Sequence, residues 1–256
     1  MEIIDTHAHL YEEIFHKDLD ELIRKMQQCG IKKVLLPCTT IADVEKMHNI
    51  KNKYPALFDI MLGIHPEEIE IDYFTQLSQL EKIIKEHSFV GIGEIGLDYK
   101  CSRIDRSIQK KFFEHELNLA KQMSLPVSIH CREAFDDMYN ILKTYKKSLS
   151  GVIHCFTGTV EEAQKYIDLG FYLGIGGIIT FKNSNLKDIL KYIPIENIVL
   201  ETDSPFLSPS PCRGQRNDPT KLINIIKVLS KIYNINVVDI TRITTSNAIK
   251  IFHLII

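Results

Sequence analysis

Ile3-Ile4-Asp5-Thr6-His7-Ala8-His9-Leu10 stands at the head of the chain, and its reading governs the rest. The β-branched, apolar start predicts a buried strand. Successive strand residues point to opposite faces, so His7 and His9 share a face and can grip one divalent ion. The pair gains force because ligand-type residues also close later strand-like segments. Glu94 sits in Val90-Gly91-Ile92-Gly93-Glu94-Ile95-Gly96, and His130 follows Val127-Ser128-Ile129. His154 follows Val152-Ile153, and Asp203 ends Ile198-Val199-Leu200-Glu201-Thr202-Asp203.

Eight strands are predicted: Ile3–Leu10, Val34–Cys38, Phe58–His65, Val90–Leu97, Val127–Cys131, Val152–Phe156, Tyr172–Ile178 and Ile198–Thr202. Helical periodicity fills the intervals. Leu19, Leu22, Ile23 and Met26 form one stripe stopped at Gly30, and Arg106–Met123 carries another. Thr159 and Glu162 have capping-box spacing, with Gly170 closing that helix. This alternation argues for an α/β fold with a parallel sheet closed as a (β/α)8 TIM barrel. An open doubly wound sheet is the competitor. Ligand-type residues at C-terminal strand ends all around the series favour the closed barrel, whose strand ends share one mouth. The 256 residues fit one barrel of about 250 residues, hence a single domain over residues 1–256.

Composition narrows the function classes. A net charge of −2 supplies no global positive field for nucleic acid or membrane, so an anionic substrate must be held by local charge. The six cysteines (29, 38, 101, 131, 155 and 212) show no C-x-x-C spacing and read as reduced thiols of a cytoplasmic protein. The longest uncharged apolar run, Phe171 to Phe181, is too short to span a bilayer, which takes about 20 residues. The N-terminus has no signal-peptide pattern.

Four histidines and two carboxylates at one mouth suit Zn²⁺ or Mn²⁺, and their oxygen ligands also admit Mg²⁺. Six ligands exceed a single tetrahedral site that keeps an open position. Two ions fit better, with Glu94, midway round the ring, bridging them. Any one of these histidines is more commonly a buried, hydrogen-bonded residue, and Glu94 or Asp203 could cap a helix. Their joint occurrence at five strand ends favours metal. His16, His48, His87, His115 and His253 read as surface residues. Cys131 and Cys155, each one step past a ligand, are expected to turn toward the helices.

Together the motifs resemble the TatD family of metal-dependent nucleases, within the amidohydrolase-like barrels. The matching segments are Asp5–His9, Gly63-Ile64-His65-Pro66, Gly93–Tyr99, Pro126–Ala134, His154–Gly158, Glu201–Pro205 and Arg216–Pro219, with Asn247–Phe252 like the closing helix. The resemblance implies His7, His9, Glu94 and Asp203 around one ion, and Glu94, His130 and His154 around a second. It also implies His65 and Arg132 as phosphate contacts. The chain departs from the family pattern at Glu67, where many members have histidine, and at Asp218, where glutamate is commoner.

The resulting expectation is a two-metal hydrolase of DNA phosphodiesters, removing nucleotides from a free 3′ end of single strands as a monomer. Asp203 ligates and acts as general base, and Glu201 orients ligands or forms a core salt bridge. Arg132 and at least one of Arg213 and Arg216 contact substrate. Tyr99, Phe156 and Phe206 lie where an unpaired base could stack, with ordinary rim packing preferred for Phe156. Two alternatives stand beside this. One is a barrel hydrolase of another ester, such as D-aminoacyl-tRNA. The other is a non-catalytic binding protein, which would not need a general base.

Overall fold

The computed structural model describes residues 2–100 and 103–255; Cys101 lies outside them. Eight strands form one parallel sheet in sequence order: β1 (Ile3–Asp5), β2 (Ile31–Pro37), β3 (Phe58–Leu62), β4 (Gly91–Asp98), β5 (Val127–Arg132), β6 (Gly151–Ile153), β7 (Phe171–Ile175) and β8 (Ile198–Leu200). Helices α1 (Leu19–Gln28), α2 (Val44–Lys53), α3 (Tyr73–Glu86), α4 (Arg106–Met123), α5 (Phe135–Thr144), α6 (Val160–Leu169), the short α7 (Leu186–Ile189), α8 (Leu222–Tyr233) and α9 (Val237–Phe252) alternate with them. The arrangement is a (β/α)8 barrel.

The helices form where periodicity and caps agree. In α1, Leu22, Ile23 and Met26 are buried, and the chain turns at Gly30 with a φ of 83° that a side chain would resist. In α4, Phe112, Phe113, Leu117 and Ala120 are fully buried. Each large one contributes about 1.5–3 kcal/mol by leaving water. The capping box between Thr159 and Glu162 is present at the start of α6, and Gly170 ends that helix in the left-handed region.

Five predicted strands run too long. β1 stops at Asp5 rather than Leu10, β3 at Leu62 rather than His65, and β6 at Ile153 rather than Phe156. β7 stops at Ile175 rather than Ile178, and β8 at Leu200 rather than Thr202. Apolar character continues past each end, but the backbone there leaves the regular ladder for individual partners. The barrel closes through such bonds. Thr6 N–H donates to the Leu200 carbonyl at 2.9 Å, Asp203 N–H to His7 at 2.9 Å, and His9 N–H to Ser204 at 2.7 Å. Beneath them the buried Asp5 carboxylate accepts from Thr202 N–H at 3.0 Å and from the Thr202 hydroxyl at 2.6 Å. On the outside, Asn247 of α9 donates to the carbonyls of Ile195 and Ile198 and holds the entry to β8. No described helix is long and apolar enough to cross a membrane.

Candidate metal centre

The mouth at the C-terminal strand ends gathers His7, His9, His65, Glu94, His130, His154 and Asp203 around the Glu94 carboxylate. Glu94 Oε2 lies 3.0 Å from His7 Nε2 and 3.7 Å from His9 Nε2. Oε1 lies 3.1 Å from His130 Nδ1, 3.8 Å from His154 Nε2 and 3.7 Å from His65 Nε2. Asp203 Oδ1 completes the ring, 3.4 Å from His9 Nε2 and 3.8 Å from His154 Nε2. His7 and His9 do meet in the mouth, with ring centroids 5.0 Å apart, although neither belongs to β1. Their placement comes from the closing hydrogen bonds rather than from strand alternation.

Backbone detail delivers the two carboxylates. The β4–β5 register shifts between Ile92 and Ile95, and Glu94 N–H donates across to Cys38 at 2.8 Å. Asp203 takes a left-handed φ of 55°, which Asp tolerates better than most residues. Gly174 on β7 makes room for Glu201, since a Cβ there would fall 2.1 Å from Glu201 Oε2.

The second nitrogen of each imidazole decides what the first can do. His154 Nδ1 lies 3.1 Å from Glu201 Oε1, and His130 Nε2 lies 3.0 Å from Asp98 Oδ2. An ionised carboxylate only accepts, and His130 Nδ1 also bonds Glu94 Oε1 at 3.1 Å, so both His130 nitrogens carry hydrogen. Its Nδ1 offers a lone pair only once a cation displaces that proton. His154 Nδ1 meets Glu201 as a charge contact without hydrogen-bond geometry. Tyr11 donates its hydroxyl hydrogen to Pro37, so its oxygen accepts from His9 Nδ1 at 2.8 Å and His9 Nε2 keeps a lone pair. His7 Nδ1 lies 3.1 Å from Ser128 Oγ, compatible with the same tautomer. His65 is reversed. The Glu67 backbone N–H donates to His65 Nδ1 at 3.1 Å, so the neutral ring carries its hydrogen on Nε2, facing Glu94. Four imidazoles thus turn a nitrogen toward Glu94 or Asp203 that a cation could take in place of a proton, and the fifth, His65, offers a donor.

Electrostatics follow the same division. Burial holds the His65 ring down at about 4, so it is neutral at pH 7. Burial also works against charge on His130 and His154, but it is outweighed by facing carboxylates. Asp98 and Glu94 raise His130 to about 9, and Glu201, Glu94 and Asp203 raise His154 to about 10. Glu94 and Asp203 are pushed upward by burial yet held below the usual carboxylate range by the histidines around them. The pocket therefore demands positive charge, and its donors are the imidazole nitrogens and carboxylate oxygens that borderline divalent ions take. Among the described residues, His7, His9 and Glu94 form one group with donor atoms within 4.8 Å of one another. His7, His154 and Glu201 form a second, and His65, Glu94 and His130 a third.

A family model described as TatD related DNase matches residues 4–253. The chain belongs to the TatD family. It is 33% identical to the metal-dependent hydrolase YabD of Bacillus subtilis over 98% of this chain and 99% of that one. It is 32% identical to the metal-dependent hydrolase YcfH of Escherichia coli over 99% and 97%. The crystal structure of YjjV, a TatD homologue from E. coli, superposes with a TM-score of 0.93 at 27% identity, covering 99% of this chain and 98% of that one. This TatD-family protein is a metal-dependent hydrolase of the ester-cleaving type.

The remaining sequence-predicted residues divide. Arg132 lines the mouth with its side chain 49% exposed and its Nη1 3.7 Å from Asp98. Glu201 is fully buried beneath His154 and accepts from Cys155 N–H at 2.6 Å. Arg213 and Arg216 do not line the mouth. Arg213 lies over the Phe181 ring at 3.7 Å. Arg216 forks onto Asp18 at 2.8 and 2.6 Å, so in this structure both arginines are tied to the barrel itself. Cys131 and Cys155 both line the mouth, contrary to expectation. Cys155 has a φ of 49°, which breaks strand alternation, although the Cys131 thiol does reach Tyr166 of α6. Phe206 lies at the mouth, its ring 6.1 Å from that of His9. Tyr99 and Phe156 line a neighbouring cleft instead. Tyr11, Ser128 and Asp98 were missed as orienting groups. Asp98 had a readable signal, because it lies four residues beyond Glu94 at the end of the same strand.

Proposed function

We propose that the mouth holds two divalent cations and hydrolyses DNA phosphodiesters, removing nucleotides from the 3′ end of single strands. The observation that carries this reading is the convergence of four imidazoles on the buried carboxylates of Glu94 and Asp203, a pocket that demands positive charge, while His65 presents an N–H. His7, His9 and Asp203 would hold one ion and His130 and His154 the other, with Glu94 bridging. When bound, Mg²⁺, Mn²⁺ or Zn²⁺ activates water and stabilises the attacking and leaving oxygens.

The protein's own groups do the rest. Asp203, kept ionised by its histidine neighbours, accepts the proton of the attacking water. His65 Nε2–H and the Arg132 guanidinium hold non-bridging phosphate oxygens, Arg132 being able to fork onto two. Glu201, Asp98, Tyr11 and Ser128 lock ring orientation, so each donor meets its ion in place. The mouth cavity, about 640 Å³, has room for a terminal nucleotide but presents no basic stripe for a duplex.

Digestion of a 5′-labelled oligonucleotide tests this. The expected product is a ladder shortening from the 3′ end, abolished by chelator and restored by Mg²⁺ or Mn²⁺. Single strands should be cut faster than blunt duplex, and circular single-stranded DNA should survive. Rapid cutting of the circle would overturn the 3′-end assignment. Release of the amino acid from D-aminoacyl-tRNA with DNA left intact would overturn the phosphodiester reading.

A further inference from the structure

Beside the mouth lies a second cavity of about 560 Å³, which shares Cys131, His154 and Thr157 with it as a common wall. Its floor and sides are aromatic. Phe156 and Tyr166 are buried in it, and the Tyr99 ring stands at its edge with the Arg106 guanidinium 4.4 Å above. Its charge is of the wrong sign for phosphate. Glu133, Asp136, Asp137 and Glu162 line it against the single guanidinium of Arg106.

Two of those carboxylates are already used. Asp137 accepts from the Tyr99 hydroxyl at 2.5 Å and from Lys110 at 3.2 Å, and Glu162 closes the capping box of α6. Glu133 and Asp136 are exposed and form no hydrogen bond or ion pair among the described residues, so both can still accept.

On the nuclease reading proposed above, which this inference rests on, a phosphate sits on the metal centre and the group beside it is a nucleoside. We infer that the acidic aromatic cleft is a subsite for a nucleobase carrying an exocyclic amino group, next to the scissile phosphate. A volume of this size lies within the 300–1,000 Å³ of small-molecule pockets and far exceeds what an ammonium group needs. The part-exposed Tyr99 ring at the edge gives a base its aromatic contact, with the buried Phe156 and Tyr166 forming the apolar floor behind it. A carboxylate accepts from the N4 amino group of cytosine or the N6 amino group of adenine. Thymine instead offers carbonyl O4, which a carboxylate repels. The cleft thus excludes the backbone and selects among bases.

The test is ligand-observed NMR titration of the full chain with deoxycytidine, deoxyadenosine and thymidine, none of which carries a phosphate. Deoxycytidine and deoxyadenosine should bind about fivefold or more tightly than thymidine. The surface double variant Glu133→Gln/Asp136→Asn should bring the three within about twofold, because amides donate as well as accept. Tyr99→Leu should weaken all three. Equal binding by the unmodified protein, no binding of any nucleoside, or a preference that survives the double variant would each overturn the subsite. A nucleoside preference in a protein that cuts no oligonucleotide would sink the nuclease reading alone and leave the base cleft standing.

Discussion

On the proposed reading Asp203 serves two roles, as a metal ligand and as the base for the attacking water. Its Oδ1 lies 3.4 Å from His9 Nε2, within reach of an ion held there, while its charge is kept by the histidines that lower its affinity for a proton. Asp203→Asn keeps an oxygen ligand and loses the base, so turnover should fall by about 10²–10⁴-fold while oligonucleotide still binds. Near-normal turnover in that variant would remove Asp203 from the proton-transfer role. Glu201 acts through His154 instead. Glu201→Gln removes the negative charge that faces His154 Nδ1 at 3.1 Å and should weaken metal affinity about 10–100-fold by calorimetry. Unchanged affinity would reduce Glu201 to core packing. The residues that gather at the mouth were legible in the sequence because His-x-His and strand-end carboxylates are local patterns. Their hydrogen-bond partners were not. Ser128 lies 121 residues from His7 and Asp98 lies 32 from His130, and only the closed barrel brings such pairs together.

Among the elements, strand order followed from the alternation of apolar runs and helices, and α4 begins and ends where its periodicity does. The strand ends were not legible. Apolar residues continue beyond Asp5, Leu62 and Ile153, and nothing local shows where the ladder gives way to single cross-barrel bonds. One helix–loop tie carries a pH signature. Glu116 of α4 is buried and accepts from Ile64 N–H just beyond β3 at 2.9 Å. Burial pushes this carboxyl well above its ordinary value of 4.5, and that one hydrogen bond offsets the push only in part. With the folded-state pKa raised, the native chain holds a proton that the unfolded chain has released. Stability is therefore full below about 4.5 and falls as pH rises toward the folded pKa. Glu116→Gln keeps the acceptor without the charge. It should melt higher than the parent at pH 7–8, with the difference shrinking as pH falls to about 4.5. A difference that does not vary with pH would show that Glu116 is not held neutral in the native barrel.

Over the whole molecule, charge argues that substrate affinity resides in the metal centre rather than in the protein surface. The net charge is −2, and the rim of the mouth adds Glu12, Glu67 and Glu68 while, among the described residues, Arg132 is the one guanidinium lining it. Without cations a polyanion meets buried carboxylates and an acidic rim. Two divalent ions would reverse that sign over a region only one or two phosphates wide. The Asp203→Asn variant permits the measurement, since it should bind without cutting. Fluorescence anisotropy with a labelled single-stranded 12-mer should show binding in Mg²⁺ or Mn²⁺ and none in chelator. The dependence on monovalent salt should be shallow. Each phosphate neutralised by protein cations on a single strand contributes about −0.7 to the slope of log K against log salt, so contact through Arg132 and little else predicts a slope no steeper than about −1.5. A steep slope, or binding that persists in chelator, would mean that a basic surface elsewhere on the barrel carries the nucleic acid.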